Sequence, residues 1–391
     1  MYKCIIYEEN KRKTLHLDMD TEDEVFKYAY KNNIQIVDIK EKSNLFKKEN
    51  LKDKDLKIFS KQMNILLKSG CDISTILKTL IEQSNNKLRK VIKNLLNNIE
   101  KGNSITESFE QTKAFPKFYI SMIRAGEISG NLDDVMDKLS SYYDKENKLK
   151  NKIISILIYP IILLITMLFS FLFILIFLIP NFESIYTDNN LQTPLITQIL
   201  IIASYIARNH LLLIVLIILL AILSLIYLKD KSKKVNDMLH KIILKIPFIK
   251  IYATLIMVNK FVQSLSILIW SGVQIVDSIE ISSKVISNKY IYEKICNSND
   301  LIKKGNKISD SLKIIDELPP LLISMISIGE ESGKLDSILV TLSEYYENEL
   351  DSKLELGTKY FETGVTLLIG VVVGVTVIAM MMPMFDAVTS I

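Results

Sequence analysis

The sequence predicts an all-α polytopic membrane protein: two tandem six-helix cytoplasmic bundles, three transmembrane helices and a small N-terminal α+β domain. Three observations lead there. Apolar runs at 153–182, 211–228 and 363–385 contain no charged residue, and a bilayer core of ~30 Å needs about 20 such residues in a helix. The stretch RAGEISGNLDD at Arg124–Asp134 returns as SIGEESGKLDS at Ser327–Ser337, 203 residues later. Between the runs, apolar residues recur every three or four positions, with Gly, Ser, Asp and Pro placed where helices start and stop.

The amino-terminal segment, 1–40, differs from the rest. Tyr2–Tyr7, Thr14–Leu17 and Ile34–Ile39 read as short strands, and Thr21 with Glu24 reads as a capping box for a helix to about Lys31. Residues 41–55 are rich in Lys, Glu, Asp and Asn and read as a linker.

The first bundle is expected over 56–152. Leu56, Phe59, Met63, Leu66 and Leu67 mark one helix, and Gly70 suits its C-terminal turn. Asp72 suits the cap of the next. Leu88, Val91, Ile92, Leu95 and Ile99 mark a third helix ended by Gly102. Ser104 with Glu107 forms a capping box, and Pro116 opens the following helix. From Leu132 to Tyr159 nothing breaks the helical pattern, so the last helix is expected to run on into the span at 153–179 and to kink at Pro160. An extracytoplasmic loop (180–210), a second span (211–228), a second bundle (229–362), a third span (363–385) and a short extracytoplasmic tail (386–391) complete the chain.

The second half repeats the first. Eleven of the 21 positions in Pro116–Met136 are identical in Pro319–Leu339. Tyr142-Tyr143 matches Tyr345-Tyr346, Gly70 matches Gly272, and Pro180 falls opposite Pro383. The span at 211–228 has no counterpart, and topology explains it: a bundle plus one outward span leaves the chain outside, so one return crossing must precede the second bundle. Charge gives the same answer. Lys145, Lys148, Lys150 and Lys152 precede the first span, Lys229, Lys231, Lys233 and Lys234 follow the second, and Lys353 and Lys359 precede the third, whereas 180–210 holds only Arg208. The bias toward Lys/Arg on the cytoplasmic side predicts a multi-pass protein of the cytoplasmic (inner) membrane with its N-terminus inside. The net charge of +4 is therefore read as topological, with contacts to membrane lipids and none to nucleic acid. The first 13 residues show no apolar signal core, so the first span is expected to direct insertion.

Little in the chain resembles catalytic or cofactor chemistry. Gly329-Glu-Glu-Ser-Gly333-Lys334 is one residue short of a phosphate-binding loop, and Leu335 stands where that loop needs a hydroxyl. His16, His210 and His240 are scattered, as are Cys4, Cys71 and Cys296. Glu127 with Asp133, and Glu330 with Asp336, are the weak candidates for an interface cation, against the plainer reading that the Asp residues complement helix N-termini. No enzyme activity and no cofactor are expected. The charge-free spans speak against an ion-coupled transporter or channel component, the alternative reading. Gly370 and Gly374, with Gly364, offer a small-residue face for another helix.

These residues together resemble the type II secretion system F family, the polytopic platforms of type IV pili, type II secretion and competence pseudopili. The resemblance covers essentially the whole chain. It rests on Phe59-Ser-Lys-Gln62 through Gly70, on Gly126-Glu127-x-Ser129-Gly130-x-Leu132 and on Gly329-Glu330-x-Ser332-Gly333-x-Leu335. Tyr159-Pro160, Ile179-Pro180-Asn-Phe182 and Ile246-Pro247-Phe248 also match. Glu362-Thr363 departs from the family's usual Glu-Pro, and Lys260-Phe261 from its Arg-Phe; the first implies a straighter last span, the second a lost bidentate donor. The resemblance implies a homo-oligomer that binds a cytoplasmic hexameric ATPase, prepilin or pseudopilin subunits and other inner-membrane assembly components. It would add or remove subunits at the base of a fibre.

Overall fold

A computed structural model describes residues 2–8, 11–17, 29–30, 35–41, 51–188, 195–231, 242, 246–286 and 288–389. At the amino terminus, β1 (Tyr2–Glu8) pairs antiparallel with both β2 (Lys11–Leu17) and β3 (Gln35–Glu41), giving the order β2-β1-β3. The helix expected before Lys31 lies largely outside the described residues.

Helices α1 (Asp53–Lys68), α2 (Ile73–Gln83), α3 (Asn86–Glu100), α4 (Ile105–Thr112), α5 (Lys117–Ser129) and α6 (Leu132–Phe173) form the first bundle. Their ends follow local chemistry. The Asp72 carboxylate accepts from the Thr75 amide at 2.9 Å, and Asn85 caps α3. Ser104 and Glu107 make the reciprocal capping box that starts α4. Helix α1 starts three residues earlier than the linker reading placed it, because Asp53 and Asp55 favour the positive end of the helix. The core is Phe59, Phe109, Phe115 and Tyr119, packed ring on ring, over Leu56, Met63, Ile92 and Leu139. The Tyr119 hydroxyl shares a 2.8 Å hydrogen bond with Ser60, so the one polar atom of that ring is satisfied where it is buried.

Helices α9 (Pro247–Trp270), α10 (Ile275–Ser283), α11 (Lys289–Lys303), α12 (Ile308–Lys313), α13 (Pro320–Ser332) and α14 (Leu335–Thr389) repeat the order, with α7 (Ile179–Asp188) and α8 (Leu195–Lys231) between the two sets. Even fine detail recurs: Tyr142 meets Tyr143 edge-on at 5.0 Å, and Tyr345 meets Tyr346 edge-on at 5.2 Å.

Long apolar helices occur over Leu132–Asn181, Ile249–Trp270 and Leu335–Ile378. The middle one is different in kind. Of its apolar stretch 56% is buried, against 6% and 11% for the other two, and Phe261, Val262, Leu265 and Leu268 sit in protein core. It is a bundle helix. Helix α6 instead exposes Ile158, Ile161, Ile165, Leu168 and Phe169, and α14 exposes Leu367, Leu368, Val371 and Ile378. Exposed apolar surface on that scale requires lipid. Helix α8 shows the same outward Leu213, Leu216, Ile217, Leu220 and Leu223. The chain is thus a multi-pass membrane protein.

Helix extends further than expected in two places. The segment 180–210, expected as a loop, is helix over Ile179–Asp188 and from Leu195 onward. Helix α6 continues through Pro160, and a π-helical turn follows further along at Ile174–Leu178. The Ser204 hydroxyl donates to the Leu175 carbonyl inside that turn, satisfying an acceptor in a place without water. The chain also stays helical to Thr389, past Pro383 and into the expected tail.

Gly130 and Gly333 hold φ of +73° and +65°, ending α5 and α13 in the left-handed region. A β-branched side chain is strained there. Gly130→Val and Gly333→Val should each lower the stability of the full chain in detergent by at least about 1 kcal/mol. An unchanged unfolding midpoint for either would contradict the assigned turn.

Candidate functional site

The repeated motif forms a corner between α5 and α6, and again between α13 and α14. Each residue has a distinct task. Gly126 lets the two helices close in: a Cβ there would lie 3.0 Å from Val135 Cγ2 and 3.2 Å from Leu132 Cα. At Gly329 it would lie 2.9 Å from Leu335 Cδ1 and 3.1 Å from its Cα. Ser129 and Ser332 turn their hydroxyls back to the carbonyls of Gly126 and Ile328 at 3.5 and 2.6 Å. Gly130 and Gly333 reverse the chain, Leu132 is buried, and Leu335 packs partly buried against the second core.

The glutamates do what the sequence did not disclose. Glu127 reaches from α5 to the start of α4, where it accepts from the Ile105 and Thr106 amides at 2.7 and 2.9 Å and from the Thr106 hydroxyl at 2.5 Å. Glu330 does the same for α12: it accepts from the Ile308 and Ser309 amides at 2.5 and 2.9 Å and from the Ser309 hydroxyl at 2.7 Å. A carboxylate from a different helix thus satisfies amides that a helix start leaves unpaired, and its charge suits that end. Burial pushes the Glu127 carboxyl up, but the Thr106 and Ile105 bonds outweigh it and hold the group below the usual Glu value.

Asp133 and Asp336 lie in the first turns of α6 and α14. Both glutamates are engaged in capping. Among the described residues no group of three or more His, Cys, Asp or Glu is placed to hold a metal ion.

The other part of the site is the seam between the bundles, beside the membrane. The half-buried Lys260 of α9 pairs with Glu146 of α6, itself only 8% exposed. Lys145 meets Glu347 at 2.6 Å, and Lys152 lies 3.0 and 3.3 Å from Asp351 and Glu355. These exposed pairs are worth under about 1 kcal/mol each, so they set register more than stability. Apolar contact supplies the adhesion. Leu268, Ile267, Val273, Ile281 and Val285 of the second half pack on the first core, and Leu149, Ile153 and Ile156 of α6 pack on the second. Lys138 sits 4.4 Å over the Trp270 ring.

The remaining motif residues are placed as follows. Gly70 and Gly272 end α1 and α9 with φ of +78° and +81°. Tyr159 is half-exposed and Pro160 buried in the first span, and Pro180 lies in α7. Pro247 opens α9, and Glu362-Thr363 passes through α14 without a break, the Thr363 hydroxyl bonding the Lys359 carbonyl at 2.9 Å. Among the described residues nothing lies within 4 Å of a Cβ at Gly364, Gly370 or Gly374.

A profile of the family described as Type II secretion system (T2SS), protein F, matches residues 59–180 and again residues 261–383. The type IV pilus assembly protein PilC of Thermus thermophilus is 31% identical over 336 residues, covering 85% of this chain and 82% of that protein. PilC of Myxococcus xanthus is 26% identical, covering 85% and 80%. The type II secretion system protein F of Pseudomonas aeruginosa is 25% identical, covering 86% and 83%.

Two outcomes test the site. A Glu127 carboxyl depressed on folding adds stability that is complete above the ordinary Glu range of about 4.3 and is lost as pH falls through the folded value. Glu127→Gln should therefore cost about 1–2 kcal/mol at neutral pH, and the gap from wild type should close in acid below that range. A gap that widened in acid would overturn the assignment. Lys260→Ala, which strands Glu146, should destabilise by about 1–3 kcal/mol after allowing for partial exposure, and Lys260→Arg should recover most of it. Equal loss in both variants in a thermal melt would deny the ion pair.

Proposed function

Because this chain belongs to the type II secretion system protein F family, we propose that it is a membrane platform for assembly of type IV pili or of a type II secretion pseudopilus. The observation that carries the proposal is helix continuity. In each repeat the last bundle helix and the spanning helix are one piece: α6 has 42 residues and α14 has 55, about 60 and 80 Å at 1.5 Å per residue. A push on either cytoplasmic bundle reaches the bilayer without crossing a flexible joint.

Under this reading a hexameric ATPase supplies motion from the cytoplasm, and prepilin or pseudopilin subunits receive it in the membrane. Other inner-membrane assembly components and further copies of this chain complete the machine. The motif corners sit at the foot of each rod, where the Glu caps hold the penultimate helix to the bundle. The bundles (56–152 and 229–362) lie in the cytoplasm, the N-terminal sheet belongs to a small cytoplasmic α+β domain, and the return crossing at 211–228 keeps both bundles on one side. The Lys clusters beside the spans support that orientation.

Cells lacking the chain should make no fibres of the system it serves; normal fibres with normal retraction would sink the proposal. For orientation, Asn190→Cys should react with a membrane-impermeant maleimide on intact spheroplasts, whereas the native Cys296 should react only after lysis. The reverse pattern would invert the topology.

A further inference from the structure

The contact between the two halves is one-sided. The first bundle presents α5, with Ile120 and Met122; the second presents the end of α9 and the start of α10, with Leu268 and Val273 against the first core. The Ser271 hydroxyl lies 3.5 Å from Met122 Sδ. Charge follows the same line: Lys284 chiefly, then Lys303 and, across the joint, Lys117 hold the Glu280 carboxyl below its usual range.

A two-fold relation would also join α13 to the α1–α2 corner. Among the described residues no comparable contact does so. The joint is therefore head to tail, and each half leaves one surface unused. The α13 face, equivalent to α5, exposes Leu321 at 41% and Ile328 at 53%. The α1–α2 corner, equivalent to the α9–α10 corner, exposes Ile65 at 56%.

The rods fix how a neighbour would approach. Lys145 meets Glu347 and Lys152 meets Glu355, positions 202 and 203 apart, so the two repeats stand at one height in the membrane. Their relation is a rotation about the membrane normal, and another chain can repeat it without changing depth. Head-to-tail contacts of this kind close into rings when the rotation allows. Exposed charges line both free surfaces: Lys61, Lys68 and Lys78, with Asp72 and Glu82, at the corner, and Glu331, with Lys334 beyond it, on the α13 side. The present partners of Lys78 and Glu331, Glu100 and Lys307, are surface pairs at 3.2 and 3.5 Å that cost little to exchange.

We propose that a second copy of this chain docks its α1–α2 corner on the α13 face, repeating between chains the joint that holds the halves together within one. Thr79 and Gln83 stand where Ile281 and Val285 stand in the internal joint, so the contact between chains is the more polar and the more reversible of the two. The inference rests on the platform reading, in which copies gather in the membrane.

The position equivalent to the Met122–Ser271 contact pairs Met325 of one copy with Ser69 of the next. In the full-length chain with Cys4, Cys71 and Cys296 changed to Ser, Met325→Cys and Ser69→Cys together should yield a ladder of disulfide-linked dimers, trimers and higher species when membranes are oxidised with copper phenanthroline. Each single variant should give none. The pair Met122→Cys with Ser271→Cys in the same background should close within one chain, showing that the background folds. The proposal is overturned if the inner pair closes and no ladder forms, if one cysteine alone gives dimers, or if the only product joins this chain to a different protein. Fibre assembly scored in the same cells separates the claims: fibres without a ladder reject this joint and leave the platform reading intact.

Discussion

Two copies of one helical module must enter the same bilayer from the same side, and much of the structure follows from that constraint. In the topology proposed above, an unpaired crossing brings the chain back, and that is the place proposed for α8. The two rods must then run parallel and start at one height, so residues about 203 apart become neighbours. In a symmetric pairing of identical modules those neighbours would be like charges. Divergence after duplication has put Lys145 and Lys152 on one rod and Glu347, Asp351 and Glu355 on the other. The charges favour pairing of unlike halves over pairing of like ones, since like charges at that distance repel.

The corners translate bundle packing into rod direction. Helices α4 and α12 are short, with 8 and 6 residues, and isolated helices of that length are not stable. Glu127 and Glu330 hold them by their amide ends while Gly126 and Gly329 draw the next helix to backbone contact. A rod leaving such a corner is aimed by several mutually dependent contacts. Sharing of core between bundles adds to this: α9 is covered by its own bundle on one side and by the first bundle on the other, and for that reason it is apolar enough to imitate a span.

Much of this was legible in the sequence because its causes are local. Asp72, the Ser104–Glu107 box and the left-handed glycines act within one turn, so residue type and spacing predict them. The duplication exposed the corners, and the apolar runs marked the rods. The role of Glu127 was hidden because its partners lie 21 and 22 residues away on another helix. A signal did exist: Thr106 and Ser309 occupy matching places ahead of each Glu, and a hydroxyl kept there in both copies hints at a shared acceptor. The seam was hidden for a similar reason, although opposite charges at the repeat spacing could have revealed it. The segment 180–210 misled because Pro180 and its lower hydropathy imitate a loop, while Pro in a helix within or near the membrane is tolerated when neighbours take up the freed carbonyls.

The rods stand parallel and in register. Lys145→Cys with Glu347→Cys, in a background without native cysteines, tests that register directly by oxidation in membranes. An intramolecular disulfide should form in this pair, and none in Lys145→Cys with Lys359→Cys, whose second cysteine lies about 18 Å further along its helix. Preferential closure of the second pair, or closure only between separate chains, would mean that the rods are not in register.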